Sequence, residues 1–342
     1  MTELLVARNL VRNQAFANGL RQVIGGVVTT SRLSCKPDLL RFAARCPMPG
    51  PTGGSAMSFS DSCDARAQEL LGAHSRLHLM WSGGIDSTVA LVALLKALPA
   101  NERDRLTVYL SSHSVAENPG FYQSHIAGKL SVQRTVGKAG LYDETVVTGE
   151  LGDQLFGSDL MLEATRRLGF ECLAQPHAVV LPHLFGGIAG NAEMGAAIYR
   201  CYAPIAREAP YPLNSTQDFL WWWNFSQKWQ HVKYRHLLYE PSGSDFLGML
   251  GKVRHFFDTD LFQRWSLTHP GEKLGASIDT YKMPAKRYIV DFTGDASYLT
   301  KMKIGSLCKV FKYPPVAAIT TDGAPVDQAG LQAFVRPDVR PD

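Results

Sequence analysis

Between Trp81 and Thr88 the chain reads Ser82-Gly83-Gly84-Ile85-Asp86-Ser87, so two glycines, two hydroxyls and a carboxylate lie close together. Adjacent glycines let backbone N–H groups approach a phosphate, and Ser82 and Ser87 add hydroxyl donors. An aspartate beside phosphates is repelled unless a divalent cation sits between them, so Asp86 reads as a magnesium ligand. The alternative is an ordinary glycine turn in which Asp86 caps a helix. A second stretch, Thr148-Gly149-Glu150-Leu151-Gly152-Asp153-Gln154-Leu155-Phe156-Gly157, carries two acids at the end of an apolar run. A capped helix start would explain its glycines but not the paired acids. Lys301 and Lys303 form a third candidate group, for which the alternative is a solvated face.

These residues need elements to hold them. Leu77 to Trp81 reads as a short apolar strand and Thr88 to Leu98 as a buried helix stopped by Pro99. The loop at 82–87 therefore sits between a strand and a helix whose positive N-terminal end favours anions. Ser60 or Asp61 can cap an earlier helix running to Ala73. Leu106 to Leu110 and Thr145 to Thr148 read as further strands, with a helix around Pro119 to Leu130. The alternation predicts an α/β fold, a parallel sheet with helices on both faces, in which ligands bind beyond the carboxyl ends of the strands.

The chain divides by composition. Residues 1–46 have no assigned role and show helical spacing in Leu4-Leu5-Val6; residues 47–59 are a Pro/Gly linker. A catalytic body follows at 60–322, helical and aromatic from about 160, and then a loose tail at 323–342. Within the helical part, Trp221-Trp222-Trp223 and Trp229 read as core rather than as a pocket for a ring. His177 and His183, each beside a proline, read as loop residues, and Cys172 and Cys201 as small buried side chains.

With 342 residues, 45% of them apolar, a sizeable core can form. A net charge of +4 without a long basic run argues against a nucleic-acid partner. The six cysteines include no C-x-x-C pair, which argues against a structural zinc site. No 18-residue apolar run is present, so no membrane partner is expected and a reducing cytoplasm is the simplest location. Seven Lys and Arg against two acids in the first 46 residues keep a transit peptide as the other possibility.

The first motif resembles the S-G-G-x-D-S signature of the PP-loop ATP pyrophosphatases, whose loop cradles the departing pyrophosphate. The Walker-type loop is absent. The second resembles the T-G-E-G-x-D-E-L-F-G segment of asparagine synthetases, with Leu151 in place of a glycine and Gln154 in place of an acid. In the third, Lys301-Met302-Lys303-Ile304-Gly305 resembles the R-x-K-x-x-F element of that family, and Phe256-Phe257-Asp258-Thr259-Asp260-Leu261 its F-L-D-x-R-L segment. The likeness runs from about 60 to 312 and does not cover an amino-terminal glutaminase: residue 2 is threonine, not the nucleophilic cysteine.

The resemblance implies that ATP and pyrophosphate contact Ser82, Gly83, Gly84, Ile85, Asp86, Ser87 and Gly149. Magnesium would be held by Asp86 and Asp153. Glu150 would act at the reaction centre, and Lys303, with Lys301 second, would stabilise transferred charge. The implied reaction adenylates a small-molecule or peptide carboxylate, releases pyrophosphate, and forms an amide-type bond with ammonia or an amine, for which a separate glutaminase is one source. Two rivals stand: a nucleobase- or tRNA-modifying enzyme of the same superfamily, and a nucleotide-binding module without catalysis.

Overall fold

A computed structural model describes residues 4–7, 32–33, 46–50, 57–134, 140–234, 246–273, 277–301 and 318–320. Its strands are β1 (Leu4–Ala7), β2 (Leu77–Met80), β3 (Leu106–Leu110), β4 (Ser131–Arg134), β5 (Thr145–Thr148), β6 (Val253–His255) and β7 (Ala318–Thr320). Its main helices are α1 (Phe59–Ala73), α2 (Ile85–Ala97), α3 (Ser112–Glu117), α4 (Gly152–Phe156), α5 (Ser158–Leu168) and α6 (His177–Ala189). They continue as α7 (Ala192–Tyr202), α8 (Thr216–Trp223), α9 (Trp229–Tyr234), α10 (Phe246–Lys252), α11 (Asp260–Thr268) and α12 (Met283–Thr293). Two units result. A sheet unit comprises Pro49–Gly152 and Gly248–Lys312; a helical unit comprises Met1–Met48, Asp153–Leu247 and Tyr313–Asp342.

The sheet unit is an α/β structure around five parallel strands in the order β4-β3-β2-β5-β6. The strand β2 lies in register with both neighbours, Leu77 opposite Leu106 on one side and Thr145 on the other. The chain winds outward from β2 through β3 to β4, then returns to place β5 on the other side of β2. That reversal is the topological switch point, where loops leaving adjacent strand ends part and leave room for a ligand. The loops leaving β2 and β5 there are 81–84 and 149–151, which hold the first two sequence motifs.

The helix α2 explains the rigidity of this edge. Val89, Ala90, Leu91, Val92, Ala93 and Leu94 are all fully buried, so the helix is apolar all round and its start cannot drift. The helix α1 is capped by Ser58 rather than by Ser60 or Asp61: the Ser58 hydroxyl accepts from Asp61 N at 3.1 Å. An aromatic group of Phe59, Phe257, Phe262 and Trp265 packs α1 to the segment after β6 and to α11.

In the helical unit, α8 runs into a π-helical turn, Asn224–Lys228, and then α9. Trp221, Trp222, Trp223 and Trp229 are buried in its core. Arg32 stacks over the Phe225 and Trp229 rings at 5.0 and 4.6 Å and donates to the carbonyls of Cys46, Phe225 and Pro47.

Several local expectations are corrected. Leu4 to Val6 belong to a strand that pairs antiparallel with β7, because cross-strand pairing overrides the helical spacing. The part read as helical from about 160 also contains β6, set between α10 and α11, and Pro119 to Leu130 holds only short helical and π turns. His177 and His183 are helical, in α6. Cys172 is buried, whereas Cys201 is partly exposed. Among the described residues, no helix is long and apolar enough to cross a membrane. The tail at 323–342 lies outside the described residues.

Candidate functional site

The loop after β2 is shaped by its own side chains. The Ser87 hydroxyl accepts from Ser82 N at 3.1 Å and donates to the Gly84 carbonyl at 3.2 Å, and it lies 3.0 Å from the Ser82 hydroxyl. The Thr88 hydroxyl also donates to the Gly84 carbonyl, at 2.8 Å, and accepts from the Trp81 indole at 3.1 Å. Gly83 has a φ of 78°, and a Cβ there would come within 2.8 Å of the Glu117 Cβ. Only glycine meets both demands. Gly84 caps α2 without a side-chain hydrogen bond, and Asp86 stands in its first turn.

The second motif packs on the first. A Cβ on Gly149 would sit 2.6 Å from the Ser87 backbone nitrogen, and one on Gly152 would sit 2.5 Å from Asp86 Oδ1. Both glycines are therefore the price of bringing the loop after β5 against the first turn of α2. Between them lies Glu150, partly exposed, whose backbone nitrogen donates to the Thr148 hydroxyl at 3.2 Å. That hydroxyl shares a 2.7 Å hydrogen bond with Nδ1 of the buried His255, and the His255 carbonyl accepts from the Arg66 guanidinium at 3.2 Å. A polar chain from α1 through β6 thus orients the backbone that carries Glu150.

Among the described residues, two non-glycine residues have positive φ: Leu151 at 76° and Lys282 at 54°. Left-handed backbone costs an ordinary side chain on the order of 1–2 kcal/mol. Leu151 precedes the glycine that abuts the Asp86 carboxylate. Lys282 reaches the same carboxylate, its Nζ 2.8 Å from Oδ1 and 2.7 Å from Oδ2. The pair is largely withdrawn from water, with side-chain exposures of 4% for Lys282 and 18% for Asp86. Strain at both positions is thus gathered at one carboxylate, the pattern found where geometry serves a site.

Other cations stand nearby in the same unit. Lys286, one turn along α12, is fully buried, donates to the carbonyls of Asp279 and Leu299 at 2.6 and 3.3 Å, and lies 4.5 Å from the centre of the Tyr281 ring. Burial pushes its ammonium down to about 8, partly opposed by Asp279 and assisted by Lys282. Lys301 donates to the Glu117 carbonyl at 3.0 Å, at the end of α3, the helix that closes on Gly83.

The structure brings together Ser82, Gly83, Gly84, Ile85, Asp86, Ser87 and Gly149 at the switch point, with Glu150 on the same loop. Lys303 lies outside the described residues. Asp153, in α4, belongs to the helical unit, and its expected role rests on the resemblance alone. Among the described residues no group of three or more His, Cys, Asp and Glu could hold a metal by itself. Both Asp86 oxygens accept from the Lys282 ammonium, so a divalent cation at this carboxylate would have to take them over from Lys282. Lys282 and His255 had no signal in the sequence. One is a lysine before a Met-Pro helix start, the other a histidine at the end of a three-residue strand, and neither pattern marks a site.

Comparison of the chain with family models, and separately with curated proteins, finds no match.

Proposed function

We propose that the chain is an AMP-forming ligase of the PP-loop ATP pyrophosphatase type, close to the synthetase part of asparagine synthetases, which adenylates a carboxylate and passes it to ammonia or an amine. The observation that carries this reading is the packing of Gly149 and Gly152 on the first turn of α2 at Asp86. Two motifs far apart in sequence, each suited to one part of the same chemistry, meet at the switch point of a parallel sheet. The departure at Leu151 ceases to count against it, because Leu151 keeps a glycine-like conformation there.

In this reading the polyphosphate lies over the loop at 82–87, toward the positive end of α2. Asp86 would hold magnesium, as the resemblance also asks of Asp153, and the ion supplies charge neutralisation for the phosphates. A carboxylate oxygen of the substrate attacks the α-phosphorus and pyrophosphate leaves into the glycine loop. The amine nitrogen then attacks the acyl carbon, AMP leaves, and Glu150 accepts the proton that the nitrogen sheds. Lys303, with Lys301 second, would balance the migrating charge.

The test follows ATP in the presence of magnesium, ammonia and a panel of small carboxylates. Equal amounts of AMP and pyrophosphate, carboxylate-dependent and lost in Asp86→Asn, are the expected result. ADP and phosphate as products would overturn the reading.

A further inference from the structure

The hydroxyls of Ser87 and Thr88 fix the glycine loop at Gly84, but Gly83 is restrained from outside. A Cβ at Gly83 would collide with the Ser114 carbonyl oxygen and come within 2.8 Å of the Glu117 Cβ, so α3 lies directly against it. The start of α3 is closed by a reciprocal cap: Ser114 N donates to the Ser111 hydroxyl and Ser111 N to the Ser114 hydroxyl, each at 3.2 Å. Its far end is held by the 3₁₀ turn Ala296–Thr300 and the residue that follows it. Lys301 Nζ donates to the Glu117 carbonyl at 3.0 Å, and the side-chain amide of the buried Asn118 donates to the hydroxyl of the buried Tyr298. An ammonium on the last carbonyls of a helix is favourable both as a charge-assisted bond and toward the negative helix end. The turn has its own anchors: the Asp295 carboxylate accepts from Ser297 N at 3.0 Å, and Lys286 Nζ reaches the Leu299 carbonyl at 3.3 Å. All of these residues belong to the sheet unit.

We propose that Tyr298 and Lys301 are positioning residues that hold α3 closed on Gly83 and thereby keep the loop at 82–87 in the shape that receives pyrophosphate. The inference rests on the function proposed above and deepens it: Lys301 acts through α3, and the balancing of migrating charge falls to Lys303. Gly83 and Gly84 have no side chains with which to resist motion, so the loop depends on what packs against it. One bond to the Glu117 main chain and one to the Asn118 side chain fix the helix end at two points, where a single contact would leave it free to pivot.

The experiment compares wild type, Lys301→Met, Lys301→Arg and Tyr298→Phe as full-length chains, with thermal unfolding to establish that each is folded. Amide hydrogen exchange is followed by mass spectrometry on the ligand-free chains, and the affinity for magnesium pyrophosphate by calorimetry. Lys301→Met is expected to speed exchange at 82–87 and 112–118 about tenfold, the effect of losing a hydrogen bond from a charged donor. Tyr298→Phe should act in the same direction by roughly fivefold, as suits a neutral bond. Lys301→Arg can still donate to the Glu117 carbonyl and should stay near wild type. Pyrophosphate affinity should fall in the same order, by about tenfold or less. A lysine that only supported the fold would speed the strand amides at 77–80 and 145–148, which open with the whole unit, and leave the loop at its wild-type rate. A lysine that balanced charge on the leaving phosphate would leave loop exchange unchanged and make Tyr298→Phe silent. Either pattern overturns the proposal, as does a loosened loop whose pyrophosphate affinity is unchanged. A wild type that binds magnesium pyrophosphate but forms no AMP with any carboxylate would count against the reaction proposed above and leave this comparison standing.

Discussion

The loop region around Asp86 and the tryptophan region around Trp223 are both buried, but they use burial in opposite ways. Around Trp223, Phe185 and Phe219 meet the indole edge-on and Tyr202 stacks on it, so apolar rings satisfy one another at little conformational cost. Among the described residues, the indole nitrogens of Trp223 and Trp229 have no hydrogen-bond partner, which packing of this quality tolerates. Around Asp86 the structure keeps a largely buried ion pair, two left-handed residues and two glycines pressed against a helix start. That arrangement carries a conformational and desolvation cost that the ring packing does not. The contrast separates residues that hold the protein together from residues that the protein holds.

Substitutions should therefore divide by region. The largest effect is expected for Asp86→Asn, which should abolish formation of AMP and pyrophosphate. It should also lower stability by about 2 kcal/mol, because Asp86 no longer offers the buried Lys282 ammonium a charged acceptor; a product assay and urea unfolding measure the two. Trp223→Ala should cost a similar or larger ~4 kcal/mol in urea unfolding, through the void it leaves. Its binding of metal-free ATP should be unchanged under conditions where the protein stays folded, and weakened binding would blur the contrast.

Gly152→Ala introduces a methyl group against the Asp86 carboxylate and should cut turnover on the order of a hundredfold, as small misplacements in a reacting geometry do. Its melting temperature should fall far less than that of Trp223→Ala. At Leu151 the usual ranking should reverse. The side chain is buried, so both truncations destabilise, but Leu151→Gly should be more stable than Leu151→Ala by about 1 kcal/mol, since glycine alone is at ease at positive φ.

The smallest effect concerns pH. Lys286 titrates near 8 in the fold against 10.5 for a free lysine. Between those values the unfolded chain binds the extra proton, so stability attributable to this group rises with pH across that window. Lys286→Met should flatten the rise relative to wild type when urea unfolding is followed from pH 7 to 10.5.

Much of the framework can be read along the chain. Leu106–Leu110 and Thr145–Thr148 are strands with the bounds that their apolar runs suggest, and the loop at 82–87 does lie between a strand and a buried helix. Runs of β-branched and apolar side chains report local conformation because the pleat or the helix face is set by neighbours in sequence. The short strands β4 and β6 were not legible. Ser131–Arg134 carries only one apolar residue, and Val253–His255 is three residues long within a helical surround, so each becomes a strand only through the neighbour that pairs with it.

The same division holds at the site. Sequence by itself determined which residue types are available: paired glycines and hydroxyls before a helix, and an aspartate among them. Only tertiary structure decided that Gly149 and Gly152 close on that helix start, that Leu151 takes a left-handed backbone, and that Lys282 ends on Asp86. Each of these depends on a contact between segments distant in the chain, where a charge or a missing Cβ acquires meaning from what it touches.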